Sequence, residues 1–157
     1  GSMHQNSPGR VVDVVTEACR RLGVRALVQL DGAPREADGV VVGIDDEPHH
    51  ALFAQVRAVV HHGGSGTTGT ALAAGAPSVV VPHFADQYHW AHRLHTLDLA
   101  PAPLPRRLLT AGLLTRRLRG AMSAGMRERA ADLGRQVATE DGAGVAVAAI
   151  EQFVGGA

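Results

Sequence analysis

The sequence predicts a single α/β domain built on a doubly wound, parallel sheet. Short apolar runs rich in β-branched residues alternate with longer segments of helical periodicity, which is the order of repeated βαβ units. These runs are apolar at nearly every position, as expected of parallel strands that helices cover on both faces. The chain contains no internal repeat and no low-complexity linker, so residues 1–157 are interpreted as one domain.

The elements follow in order from apolar runs and from start and stop signals. Strands are predicted at 25–30, 39–43, 57–61 and 77–81. Helices are expected over about 8–22, 49–56, 66–74 and 87–97, and two or three more over 109–153, with breaks near 120–125 and 141–144. Ser7 is a typical N-cap, Pro8 suits the first helical position, and Gly23 ends that helix.

The composition is that of an ordinary globular protein, with 45% hydrophobic and 19% charged residues. A formal net charge of zero argues against a general nucleic-acid binder, which requires a basic face. A single cysteine, Cys19, excludes an intrachain disulfide and a zinc site built from cysteines. No apolar run reaches about 18 residues and no signal-peptide pattern is present, so a cytoplasmic location without an integral membrane segment is expected.

Charge is distributed unevenly along the chain. Residues 31–47 carry six acidic residues against Arg35, whereas residues 106–135 carry eight arginines against Glu128 and Asp132. Such runs are typical of solvated faces of loops and helices, and a docking surface for a partner is the alternative.

The segment after the third predicted strand has the composition of a phosphate-binding loop. Residues 61–70 read HHGGSGTTGT and lead into a predicted helix. The glycines allow a sharp turn and a close backbone approach to a ligand, while the helix N-terminus attracts an anion. No lysine follows the glycines, so this is not a Walker A loop, and the paired histidines separate it from the dinucleotide fingerprint. A tight turn without a ligand is the alternative.

The segment after the fourth predicted strand places Asp86 and Gln87 side by side at a helix start. An acid next to an amide can accept from and donate to vicinal sugar hydroxyls. The alternative is that Asp86 only caps the helix.

Three separated segments of the chain carry a family resemblance: residues 48–53 (PHHALF), residues 59–68 (VVHHGGSGTT) followed by GAP at 75–77, and Asp86–Gln87 with Trp90. They resemble the donor-binding half of GT-B glycosyltransferases, in the branch of the sterol 3β-glucosyltransferase-like and antibiotic glycosyltransferases. The specific part of the resemblance covers residues 48–93, and it implies a Rossmann-like domain that binds a nucleotide sugar.

The resemblance implies a role for each matching residue. His62 would hydrogen-bond the donor diphosphate and stabilise it as the leaving group, which makes it the catalytic residue of this half. Asp86 and Gln87 would bind hydroxyl groups of the transferred sugar. The rest of the phosphate cradle would be formed by Gly64, Ser65, Gly66, Thr67 and Thr68.

The same resemblance places the nucleobase at Gly43, Ile44 and Asp45. Plant relatives have a base-binding tryptophan and a ribose-binding glutamate where this chain has Ile44 and Thr70. A UDP-sugar and a TDP-sugar are therefore both expected as donors.

Residues 1–3 resemble the Gly-Ser-Met loop that follows the first strand of this family, where Ser2 would lie near the donor phosphates. On that interpretation the first strand precedes the chain, and a cloning remnant is the alternative.

The implied enzyme is a metal-independent, inverting hexosyltransferase without a cofactor, acting on a hydroxyl of a lipid-like or natural-product acceptor. The acceptor-binding N-terminal domain, which holds the general base in this family, would be supplied in cis or in trans. The isolated chain is therefore expected to bind donor and transfer little, and peripheral membrane contact stays open. A donor-domain subunit or a binding-only module is one alternative, and a zinc site at His83, His89, His92 and His95 is another.

Overall fold

A computed structural model of the chain describes residues 8–29, 36–37 and 39–155. The helices are α1 (Pro8–Leu22), α2 (His49–Phe53), α3 (Ser65–Ala73), α4 (Gln87–Thr96), α5 (Ala111–Ala121), α6 (Ala124–Val137) and α7 (Gly142–Gly155). The strands are β1 (Ala26–Gln29), β2 (Glu36–Ala37), β3 (Val41–Ile44), β4 (Val59–His61) and β5 (Ser78–Val80), and Arg106–Leu108 forms a single 3₁₀ turn.

The predicted order of elements is confirmed over the described residues. Helix α2 is shorter than predicted, and the sequence did not predict β2 or the 3₁₀ turn. The predicted N-cap Ser7 lies outside the described residues.

The strands form two small sheets instead of the one open sheet predicted. In the first sheet β3 pairs in parallel with β1 and antiparallel with β2, and in the second sheet β4 and β5 are parallel. The registers place Leu27 beside Val42 and Val60 beside Val79. The α/β class and the parallel pairing are therefore confirmed. The strand expected ahead of the chain stays a prediction.

The expectation that helices cover both faces of every strand is wrong for β1, β3 and β4. Leu27, Val42 and Val60 are 48%, 37% and 44% exposed, and burial alternates along these strands. The described helices cover one face of these strands and leave the other in contact with solvent. Strand β5, in contrast, is buried at every residue.

The core is organised around β5. On one side Val79 packs with Ala18 of α1 and Leu114 of α5, and on the other Val80 packs with Leu94 of α4. A third cluster joins α2, β4 and α3 through Phe53, Val59, Ala71 and Ala76. These clusters hold the carboxyl ends of β4 and β5, and the helices that follow them, in fixed relative positions.

Helix α7 is mostly apolar and has no buried residue. Val145, Ile150 and Phe153 are 70%, 63% and 87% exposed. Within the described part of the chain, no helix is both long and apolar enough to cross a membrane. Helix α7 therefore presents an uncovered apolar surface.

Helices α3 and α6 approach each other through glycines. A Cβ atom on Gly134 would lie 2.7 Å from the Cα atom of Gly75 and 3.1 Å from the carbonyl oxygen of Leu72. We expect Gly134→Ala to lower the free energy of unfolding by about 1–3 kcal/mol, because backbone atoms cannot move aside as a side chain can.

The matched control is Gly69→Ala in α3, where an added Cβ would meet nothing within 4 Å. It should raise the free energy of unfolding by about 0.5–1 kcal/mol through helix propensity. Urea unfolding of both variants measures the two changes, and changes of the same sign would contradict the close-packing argument.

Candidate functional site

The two loops singled out by the sequence lie side by side at the carboxyl ends of β4 and β5. The backbone N–H of Val81 donates to the carbonyl oxygen of His61 at 2.8 Å, which joins the two strands at this edge. Gly63 has a φ of +93°, and a Cβ there would lie 2.8 Å from Val80 and 3.1 Å from the carbonyl oxygen of Gln87. Only glycine allows this contact between the loops.

The imidazole of His62 lies against the N-terminus of α3. Gly64 is the N-cap residue, and a Cβ on it would be 2.5 Å from Nε2 of His62. The first helical hydrogen bond runs from the N–H of Thr68 to the carbonyl oxygen of Gly64 at 2.9 Å. The preceding N–H groups at 65–67 therefore have no partner within the helix, and the N-cap glycine has no side chain to cap them. The imidazole and these N–H groups thus lie at the same end of α3, an arrangement that suits an anion.

The hydroxyl groups of the predicted cradle are not equally accessible. Ser65 is exposed and Thr67 is half-buried, so both can reach a ligand at the helix N-terminus. Thr68 is only 1% exposed, and its hydroxyl has no hydrogen-bond partner among the described residues. The hydroxyl of Thr70 donates to the carbonyl oxygen of Gly66 at 3.0 Å.

His61 has a structural place in the turn. Its Nδ1 accepts a hydrogen bond from the N–H of Gly63 at 3.1 Å, so the neutral ring carries its proton on Nε2. Burial lowers the pKa of His61 to about 4, and the neighbouring His62 and His49 add to the effect. The imidazole is therefore uncharged at neutral pH.

His62 and His83 face each other across the two loops, with ring centroids 6.5 Å apart. Partial burial lowers the pKa of His62, while the Asp86 carboxylate opposes that change. Partial burial also lowers the pKa of His83, and the charges of Arg106 and His62 lower it further. The sequence did not indicate that Arg106 lies at this site. Arg106 belongs to the basic run of residues 106–135, which is typical of a solvated face.

The loop after β5 is held by Gln87. This side chain is 4% exposed, and its Oε1 accepts hydrogen bonds from the N–H groups of His83 at 2.8 Å and Phe84 at 3.3 Å. The side-chain oxygen Oε1 of Gln87 is therefore engaged within the loop, and the predicted sugar contact would fall to the side-chain nitrogen Nε2. Asp86 is exposed and occupies the N-cap position of α4 without making a capping hydrogen bond. The capping alternative for Asp86 thus has no support in the geometry.

The predicted nucleobase residues lie at the end of β3, just before the residues that line a cavity. Gly43 and Ile44 end the strand and Asp45 is exposed, but none of the three lines the cavity. The cavity is open, has a volume of about 370 Å³, and is lined by Asp46, Glu47, Pro48, His49, His50 and Thr70. Nucleobase contact at 43–45 stays a prediction. Ser2, assigned to the donor phosphates, lies outside the described residues.

The zinc alternative finds no support. Over residues 8–29, 36–37 and 39–155, no group of three or more His, Cys, Asp or Glu side chains is arranged to hold a metal ion. His89 instead packs edge-on against Trp90, and Nδ1 of His95 lies 3.2 Å from the carbonyl oxygen of Ala100.

Solved glycosyltransferases share this fold. The glycosyltransferase of kitacinnamycin superposes with a TM-score of 0.81 at 24% identity, over 97% of this chain and 41% of that one. The calicheamicin glycosyltransferase CalG4 superposes with a TM-score of 0.72 at 25% identity, over 88% of this chain and 39% of that one. The fold is thus that of the C-terminal domain of GT-B glycosyltransferases.

The particular family follows from the sequence match. Residues 11–144 match the family of the erythromycin biosynthesis protein CIII-like C-terminal domain, and the chain belongs to that family. The sterol 3-beta-glucosyltransferase UGT80B1 of Arabidopsis thaliana is 34% identical over 98% of this chain. A sterol 3-beta-glucosyltransferase of Kluyveromyces lactis is 31% identical over 99% of this chain. The chain spans 26% and 14% of the lengths of these two relatives. The predicted resemblance is confirmed.

The depressed pKa of His61 makes a prediction about pH. Between pH 6.5 and about 4 the unfolded chain binds a proton at His61 that the folded chain does not. The free energy of unfolding should therefore fall as the pH falls through this window. Because His62 and His83 contribute in the same direction, the residue-specific measurement is an NMR titration of the His61 ring. A midpoint near 4 is expected, and a midpoint near 6.5 would contradict the buried, neutral assignment.

Proposed function

We propose that this chain is the nucleotide-sugar-binding half of an inverting glycosyltransferase that uses a UDP- or TDP-hexose without a metal ion. The observation that carries the proposal is the imidazole of His62 lying against the N-cap Gly64 of α3. A hydrogen-bond donor and unpaired helical N–H groups then face the same anion, as a diphosphate requires. The names of the sterol 3-beta-glucosyltransferase relatives support a hexose donor and a lipid-like or natural-product acceptor hydroxyl.

The proposed reaction is a single displacement at the anomeric carbon. The acceptor oxygen forms the new bond as the bond to the β-phosphate oxygen breaks, and the nucleoside diphosphate leaves with the electron pair. His62 and the N–H groups at 65–67 stabilise the charge that develops on the leaving group. Loss of one such donor typically lowers the rate by about 10²–10³-fold.

The proposed enzyme is completed by an acceptor-binding domain, in cis or in trans. Two observations support this partner: the chain spans 26% of the UGT80B1 relative, and α7 exposes apolar side chains such as Phe153. The general base that takes the acceptor proton is assigned to that partner, so the isolated chain binds donor and transfers little.

Gly64→Ala tests the phosphate site. The added Cβ would lie 2.5 Å from Nε2 of His62, so the imidazole must move away from the N-terminus of α3. We expect the Kd for UDP and TDP, measured by calorimetry, to rise about 10-fold to 100-fold, the equivalent of one hydrogen bond to a charged group. The control Gly69→Ala, in the same helix, should bind as the unchanged chain does. Equal affinities for the two variants would count against a diphosphate at this position.

Asp86→Asn tests the sugar assignment. The carboxylate is exposed and is assigned to sugar hydroxyls, so its loss should weaken a nucleotide sugar more than the bare nucleotide. The expected ratio of the two losses is about tenfold. Calorimetric titration with UDP-glucose and UDP measures it, and equal losses would show that Asp86 acts on the phosphate region instead.

A further inference from the structure

A segment beyond α4 extends the site on the far side of β5. Residues of β5 and its extension alternate in their backbone partners: the N–H of Val81 donates to His61 in β4, whereas the carbonyl oxygens of Val80 and Pro82 face the other way. Val80 accepts from the N–H of Leu104 at 3.0 Å, and Pro82 accepts from the N–H of Arg106 at 3.4 Å. Residues 104–106 therefore run beside β5 and bring Arg106 next to the residue that precedes His83.

The guanidinium of Arg106 is exposed at this edge and uncommitted. In the part of the chain that the structure describes, it forms no ion pair or side-chain hydrogen bond. Beyond the effect of burial, the charge of Arg106 lowers the pKa of His83, and that of His62 lowers it as well. Nδ1 of His83 is buried and has no hydrogen-bond partner among the described residues. Three side chains able to bind an anion thus follow one another across the loops, in the order His62, His83, Arg106.

We propose that Arg106 is a donor-binding residue whose guanidinium pairs with the β-phosphate of the nucleotide sugar, beside His83 and opposite His62. The inference rests on the proposed function, because it adds a cation to the same donor site. An arginine is suited to this role since its planar fork can donate two hydrogen bonds to one phosphate.

The order of the strands indicates that Arg106 would contact the β-phosphate and not the α-phosphate. The cavity lined by His49 and Thr70 lies on the β4 side of the site. His61, the last residue of β4, interacts electrostatically with both His49 and His62. Arg106 lies on the opposite side, one strand position beyond β5 and thus about 10 Å from β4 at about 4.8 Å per strand. A nucleotide with its nucleoside toward the cavity and its first phosphate at α3 would present its second phosphate toward Arg106.

The test compares Arg106→Ala with Arg107→Ala, since Arg107 is the neighbouring exposed arginine in the same 3₁₀ turn. Calorimetry measures the Kd of each variant for UDP and for UMP, and thermal unfolding checks that each is folded. Arg106→Ala should weaken UDP about tenfold and UMP less than about twofold, while Arg107→Ala changes neither. Arg106→Lys should recover part of the UDP affinity, because it keeps the charge and loses the fork.

Equal UDP affinity in the Arg106→Ala and Arg107→Ala variants would overturn the inference, and equal loss of UDP and UMP would overturn the β-phosphate assignment. Inorganic pyrophosphate separates this inference from the proposed function. Pyrophosphate binding that depends on Arg106, in a chain that binds neither UDP nor TDP, would support the anion site and refute the nucleotide donor. A chain that binds none of the three refutes both.

Discussion

The backbone contact at Gly63 is the constraint on which both loops of the site depend. Its positive φ and the absence of a Cβ let the loop after β4 touch Val80 and the first residue of α4, Gln87. Nδ1 of His61 holds the turn by accepting a hydrogen bond from the N–H of Gly63. Oε1 of Gln87 holds the second loop by accepting hydrogen bonds from the N–H groups of His83 and Phe84. The helix N-terminus with His62 and the loop with Asp86 are therefore held together by packing before any ligand binds.

The electrostatics of the site follow from burial. The pKa values of His61, His62 and His83 are all lowered, in each case first by desolvation. Neighbouring histidines lower the pKa of His61 further, Arg106 and His62 lower that of His83 further, and Asp86 opposes the change at His62. A neutral imidazole keeps an N–H donor, so His62 and His83 can donate hydrogen bonds without charge. The positive potential then comes from the α3 N-terminus and from Arg106. That combination suits a diphosphate that gains charge as it leaves, because preorganised donors stabilise developing charge most.

The sequence predicted the elements and the two loops because both are local signals. Glycine runs, apolar runs and the Gly-Ala-Pro stop at 75–77 act within a few residues, and the structure places the helices and strands accordingly. Exposure of Leu27 and Val60 could not be predicted, since an apolar run looks the same whether or not its second face is covered. Arg106 could not be placed either, because only the pairing of residues 104–106 with β5 brings it to His83.

The histidines at this edge also bear on where the acceptor proton goes. A base that titrates near 4 takes up a proton poorly at neutral pH, and the Nε2 of His61 is buried as well. His83 is weakened as a base by its own burial and by Arg106. The burial that keeps these imidazoles uncharged thus makes them poor general bases. In the proposed function, donor binding and acceptor deprotonation would place opposite demands on an imidazole, which is a physical reason to assign the base to the proposed acceptor-binding partner.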